Sequence, residues 1–208
     1  RYGEALGRIH ALSRHYVPPP DTWRPHWDEP LLMDIAANLP STEGAVLARS
    51  DELMAELRAL PRDEQSYGLI HFDPHGGNLH VDDDLNITFF DFDDCGYAHY
   101  IYDVALTLFY SVMGAEEPAA YTRTFLSHFW RGYRREYDLP SSWLATLPLF
   151  LKLREIDLYA VIHRSFDVDN IDDPWVSRFM SGRKERIEAG VPYLEFDFAA
   201  CAAELEAV

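Results

Sequence analysis

The sequence predicts a mainly α-helical α+β fold in which a helical body encloses one small β-hairpin. Three observations lead there. Apolar residues recur at helical spacing near the start of the chain and again over long stretches beyond residue 103. Between residues 67 and 92 that pattern gives way to short apolar runs separated by Gly76-Gly77 and by the polar stretch 82–86. With 208 residues, 48% of them hydrophobic and 14% aromatic, the chain can bury a substantial core within the usual size of one domain.

The first helix spans 2–12, with Leu6 and Ile9 on one face. Val17-Pro18-Pro19-Pro20 cannot continue it, because consecutive prolines remove backbone donors and favour extended geometry. Ser50-Asp51-Glu52 starts a second helix over 50–60, its acidic first turn suited to the helix dipole, and Pro61 follows its last turn. The runs 69–70, 79–81 and 87–90 read as strands joined by a glycine loop and a polar hairpin. Asp82-Asp83-Asp84 reads as the solvated tip of that hairpin. Helices are then predicted at 103–113, 119–137, 142–165 and 174–189, with Pro174 in the first turn of the last. Their aromatic residues, Phe109, Phe125, Phe129 and Trp130 among them, read as core.

Composition narrows the partners. The formal net charge of -17, from 35 acidic and 18 basic residues, argues against a nucleic-acid-binding face, which rests on clustered Lys and Arg. A metal ion or a cationic small substrate fits better. Two distant cysteines, Cys95 and Cys201, suggest neither a disulfide framework nor a thiolate zinc site, which points to a reducing cytoplasm. No apolar run approaches the roughly 20 residues of a spanning helix, and no signal pattern opens the chain, so no membrane partner is expected. The chain opens at Arg1 inside a helical pattern, so it is expected to be a piece of a longer protein.

The chemistry is concentrated in His71-Phe72-Asp73-Pro74-His75-Gly76-Gly77-Asn78, followed 13 positions after Asn78 by Asp91-Phe92-Asp93-Asp94. From His71 through Asp103 there are eight Asp and no Lys or Arg. Crowded carboxylates raise one another's pKa unless a cation neutralises them, and oxygen donors from Asp and Asn suit Mg²⁺ or Mn²⁺. Phosphoryl transfer to an alcohol needs an aspartate beside the nucleophilic oxygen and metal ligands that hold the donor phosphates in line. Asp73 can serve as the first, and Asn78 and Asp91 as the second. A competing reading takes the alternation His71, Asp73, His75, then His80, as a zinc or iron site of a metallohydrolase. Pro74 and Gly76-Gly77 would break the strand that reading needs.

The string H-x-D-x-H-x-x-N, then F-D-F-D-D-x-G, then Tyr102-Asp103-Val104-Ala105, resembles the aminoglycoside phosphotransferase and choline kinase family, which shares the protein kinase fold. Leu6-Gly7-Arg8-Ile9-His10 is similar to the helix after that family's hinge. The resemblance implies that residues 1–208 form a kinase-like C-terminal lobe whose small hairpin carries the catalytic and metal loops. It further implies transfer of the γ-phosphoryl group of ATP or GTP to a hydroxyl of a small, amine-bearing or otherwise hydroxylated molecule. Asp73 would be the catalytic base, Asn78 and Asp91 the metal ligands, and His71 and Asp103 supports of the catalytic loop. His75 and Asp93 are candidates for substrate or phosphate contact. Because acceptor recognition in this family falls largely to the lobe's helices, Glu155, Asp157, Tyr159, His163, Arg164, Asp167 and Asp169 are candidates as well. Of these, Glu155 and Tyr159 share a face at i, i+4 spacing, with Asp157 turned away. Two departures stand out: Phe72 occupies a place where the family usually has Gly, and no glycine-rich hairpin or strand lysine precedes residue 71. The nucleotide-anchoring lobe is therefore expected upstream, and the lobe alone is expected to have little or no activity. The rival from another class is a non-catalytic pseudokinase-like binding module.

Overall fold

The computed structural model describes residues 1–206. Helix α1 (Tyr2–Ser13) is followed by an irregular, proline-containing connector, a short α2 (Ile35–Asn38) and α3 (Gly44–Arg58). Four strands come next: β1 (Tyr67–Ile70), β2 (Leu79–Val81), β3 (Ile87–Phe89) and β4 (Gly96–His99). The rest is helical: α4 (Tyr100–Val112), α5 (Pro118–Tyr133), α6 (Leu147–Ser165), α7 (Pro174–Met180), α8 (Arg183–Glu188) and α9 (Phe198–Glu206). The mainly helical α+β architecture is as the sequence indicates.

The strands form two antiparallel pairs, not one sheet. β2 pairs with β3 in the register Leu79↔Phe89, as a hairpin should. Asp82 closes its tip by accepting from the backbone N–H of Asp84 and Asn86 and from the Asn86 amide. β4, which the sequence pattern did not reveal, pairs with β1 in the register Tyr67↔His99 through Ile70↔Gly96. Its four residues alternate no clear apolar face, so only the pairing defines it. That pairing has a purpose: it brings the start of α4 directly beneath the loop that leaves β1.

α4 is the spine of the body. Ten consecutive residues from Tyr100 through Phe109 are buried, and each large apolar side chain among them contributes about 1.5–3 kcal/mol by leaving water. α1 crosses α5 at Gly3 and Gly7, where a β-carbon would meet the Phe129 carbonyl oxygen at 1.9 Å and that of Tyr133 at 2.7 Å. These glycines are there for close backbone approach. The predicted helix 50–60 begins earlier, at Gly44, and the predicted helix 119–137 ends at Tyr133. The predicted helix 174–189 is two helices, because Gly182 adopts φ 63° and turns the chain between them. The predicted start at 142 is a 3₁₀ segment, Ser141–Thr146, from which α6 continues with Pro148 in its first turn.

Candidate active site

Three segments meet at the site: the loop 71–78 after β1, the loop 90–95 after β3, and the first turn of α4. Asp103, fully buried in that turn, ties them together. Its Oδ2 accepts from the His71 N–H at 2.9 Å and faces His10 Nε2 at 3.0 Å, while Oδ1 accepts from the Phe72 N–H at 2.9 Å. Phe72 has φ 74°, a conformation that costs a bulky residue energy and persists only when its surroundings impose it. The paired amide bonds to one carboxylate, and the packing of the Phe72 ring edge-on to Tyr102 at 5.3 Å, supply that constraint.

His71 joins the first loop to the second. Its Nε2 donates to the Phe90 carbonyl at 3.0 Å, its Nδ1 faces the Asp73 N–H at 3.4 Å, and its ring lies 4.4 Å from that of Phe92. Both ring nitrogens are thus occupied by backbone groups. His75 is similarly engaged: Nδ1 accepts from the Gly77 N–H at 2.8 Å, and Nε2 faces Asp73 Oδ2 at 3.2 Å. These bonds leave the His/Asp metallohydrolase geometry without imidazole nitrogens to give, and His80 sits exposed on the hairpin. Among the described residues no three His, Cys, Asp or Glu side chains converge as a metal-binding group.

Asn78 is buried and its Nδ2 donates to both the backbone oxygen and Oδ2 of Asp73, each at 3.0 Å. Its own Oδ1 therefore points elsewhere and is available to a cation. The Phe90 N–H donates to the Asn78 carbonyl at 3.1 Å, which extends the hairpin register by one residue, and Asp91 follows Phe90 in the chain. Asp91 is exposed and has φ 65°, a second left-handed non-glycine residue at this site. A carboxylate and an amide oxygen are both hard donors of the kind that Mg²⁺ or Mn²⁺ accepts. Asp93 is exposed too, and its carbonyl accepts from Arg24 at 2.7 Å.

A cleft of about 340 Å³ opens in front of Asp73, lined in part by Asp34, Asp94, Arg154, Asp157 and Arg164. α6 supplies the last three, but not the face the sequence reading had favoured. Glu155 is fully buried away from the cleft, held by Lys152 and Arg183. The Tyr159 hydroxyl donates to Glu43 at 3.0 Å, also in the interior. The structure therefore does not bring Glu155 and Tyr159 to Asp73, because the face they share is taken up by Glu43 before α3 and by Arg183 of α8. Asp157, turned away from them, faces the cleft instead, paired with Arg154 at 2.8 Å. Burial pushes the Asp157 carboxyl up, against the opposing pull of Arg154. His163 packs on Tyr159 at 4.7 Å, and Asp167 caps its own turn by accepting from Asp169. Arg154 itself escaped the sequence reading. An arginine three residues before Asp157, on the same helix face, is the signal in the sequence.

Fold and loop order together define the class: a helical lobe whose hairpin carries a base-and-metal loop pair, the C-terminal lobe of the kinase-like phosphotransferases. The chain belongs to the phosphotransferase enzyme family, whose model matches residues 1–139. It is 36% identical over 203 residues to amicoumacin kinase of Bacillus subtilis (strain 168), which covers 95% of this chain and 60% of that protein. An amicoumacin kinase solved in complex with AMP-PNP, Ca²⁺ and Ami superposes with a TM-score of 0.88 at 36% identity, over 96% of this chain and 60% of that one. A microcompartment-associated aminopropanol kinase, at 24% identity and TM-score 0.60 over 99% of this chain and 61% of that one, shares the fold. So does a choline/ethanolamine kinase family protein from Mesorhizobium loti, at 15% identity and TM-score 0.58 over 98% of this chain and 67% of that one. The chain spans about three fifths of the length of the curated relative it matches.

Proposed function

We propose that the whole protein transfers the γ-phosphoryl group of ATP or GTP to the hydroxyl of a small, amine-bearing molecule, and that this chain is its acceptor-binding and catalytic lobe. The observation that carries this reading is the Asn78 amide. It clamps Asp73 with its nitrogen and leaves its Oδ1 without a hydrogen bond from any described residue, so one side chain can serve both base and metal. Asp73 Oδ2 orients the acceptor hydroxyl and takes its proton as the bond to phosphorus forms. His75 and Asn78 fix that oxygen, while Asp103 and His71 hold the loop. Asn78 and Asp91 would hold Mg²⁺ or Mn²⁺, which when bound neutralises charge on the donor phosphates. The acids Asp34 and Asp94 favour a cationic acceptor such as an amino alcohol or aminoglycoside, and the amicoumacin kinases at 36% identity support a small-molecule acceptor. Homoserine fits the same cleft chemistry.

The phosphate-anchoring lysine and its lobe would lie outside this chain, in keeping with the share of the relative it spans, and the isolated lobe would then have little activity. A reducing cytoplasm suits the two buried free cysteines, Cys95 and Cys201. No helix among the described residues is long and apolar enough to cross a membrane. The test is turnover of labelled ATP and GTP by the full-length protein against a panel of amino alcohols, aminoglycosides and homoserine. Phosphorylation of one class, lost in Asp73→Asn, is expected. No turnover of any, with Asp73→Asn indistinguishable from wild type, would return the protein to a non-catalytic binding role.

A further inference from the structure

The two oxygens of Asp73 have different surroundings. Oδ2 faces the Asn78 amide and the His75 ring, as described. Oδ1 is buried and accepts no hydrogen bond from any described residue. Burying part of a carboxylate without a donor is costly, so its charge requires compensation from nearby. Arg154 Nη2 lies 3.6 Å from that oxygen, too long for a hydrogen bond but within reach of an ion pair.

Arg154 is fixed on its other sides. Nη1 donates to Asp157 at 2.8 Å, Nε donates to the Tyr110 hydroxyl at 3.1 Å, and Nη2 reaches that hydroxyl too. Its guanidinium also stacks over the Tyr110 ring at 5.4 Å. A planar, forked cation held by two partners has little freedom to move from the third. Burial works against its charge, but Tyr110 and Asp157 more than offset that, and Arg154 stays cationic.

We infer that Arg154 is a positioning residue for the phosphoryl-transfer base: it holds Asp73 Oδ1 by charge, and so keeps Oδ2 aimed at the acceptor hydroxyl. The inference rests on the proposed role of Asp73. It gives Asp157 and Tyr110 a purpose in turn, as the anchors that keep the guanidinium in place. Among the described residues Arg154 makes no hydrogen bond or ion pair with the loop 90–95 that carries Asp91, so nucleotide binding should not depend on it.

The experiment uses the full-length protein with Mg·ATP and its best acceptor from the panel, and Mg·ATP alone with water in the acceptor's place. Arg154→Gln should lower kcat on the order of 100-fold, the scale of a base displaced by about 1 Å, with KM for ATP within about twofold. Adding Arg154→Gln to Asp73→Asn should cause no further loss, because both act through one carboxylate. Arg154→Lys keeps a buried cation for Asp157 and decides the case if the glutamine variant does not fold. Lacking the fork, it should lose about tenfold in kcat at unchanged KM for ATP. A kcat within about threefold of wild type in Arg154→Gln, or in Arg154→Lys where only that folds, overturns the role, as does a loss that multiplies with that of Asp73→Asn. A wild type that turns over neither substrate overturns the phosphotransferase reading and this role with it. A working wild type with an indifferent Arg154 overturns the role alone.

Discussion

Asp103 shows how one buried side chain can hold a site it does not enter. It receives two backbone N–H bonds from the left-handed corner at Phe72 and a third contact from His10, whose Nδ1 in turn meets the Tyr133 hydroxyl at 2.6 Å. Asp103→Ala should destabilise the protein by about 3–5 kcal/mol, since it strands buried donors rather than replacing them, and urea unfolding measures this. His99 is a second residue with a measurable signature. Burial lowers its pKa from 6.5 to about 4, and its Nε2 donates to the Pro61 carbonyl at 3.2 Å. Between pH 4 and 6.5 the unfolded chain holds a proton on this imidazole that the folded one does not. Stability therefore falls as pH drops through that window, by up to about 3 kcal/mol from this group. His99→Gln should flatten that part of the stability profile relative to wild type, whatever the carboxylates contribute in both.

Elements differ in how much of their form the chain's local pattern carries. The hairpin β2–β3 was legible because its alternation, its polar turn and its flanking motifs all lie within 25 residues. β4 was not, because its four residues acquire strand geometry by pairing with β1 and with the connector at His26, both far away in the chain. The helix over 174–189 was read as continuous because its periodicity is, and the break at Gly182 is a matter of backbone angle that spacing does not encode. On α6, periodicity correctly separated Glu155 and Tyr159 from Asp157, but it could not say which face meets the cleft; the partners Glu43 and Arg183 decide that. The contact of α1 with α5 yields a prediction of its own. Gly3→Ala should cost about 3 kcal/mol or prevent docking of α1, since its β-carbon has no room against the Phe129 carbonyl. Gly44→Ala, at the open first turn of α3 with nothing within 4 Å, should instead stabilise by about 0.5 kcal/mol. Thermal unfolding of the pair separates close packing from helix propensity.

At the scale of the whole molecule, the proposed base, metal donors and acceptor cleft all lie in this lobe, while the relative it matches is longer by two fifths of its own length. Binding that requires both lobes should appear as a linkage effect in the full-length protein. Mg²⁺ with a non-hydrolysable ATP analogue should raise its stability by about 2.7 kcal/mol at 100 times Kd, and Asp91→Ala should abolish the rise. A melting curve indifferent to nucleotide and to Asp91 would count against the metal assignment.

Sequence alone determined the class of fold, the helical body, the hairpin and the order of Asp73, Asn78 and Asp91, because each rests on neighbours close along the chain. Glycines, prolines and apolar spacing act locally, so their message can be read locally. Tertiary structure alone decided that Asp103 and His10 lie under the loop 71–78 and that Arg154 and Asp157, not Glu155 and Tyr159, face the cleft before Asp73. Those facts depend on which helix face is buried against which neighbour, and that is settled by the packing of residues as far apart as Glu43 and Tyr159. The two oxygens of Asp73 show the difference most clearly: a sequence names one carboxylate, and only the fold gives its oxygens different partners.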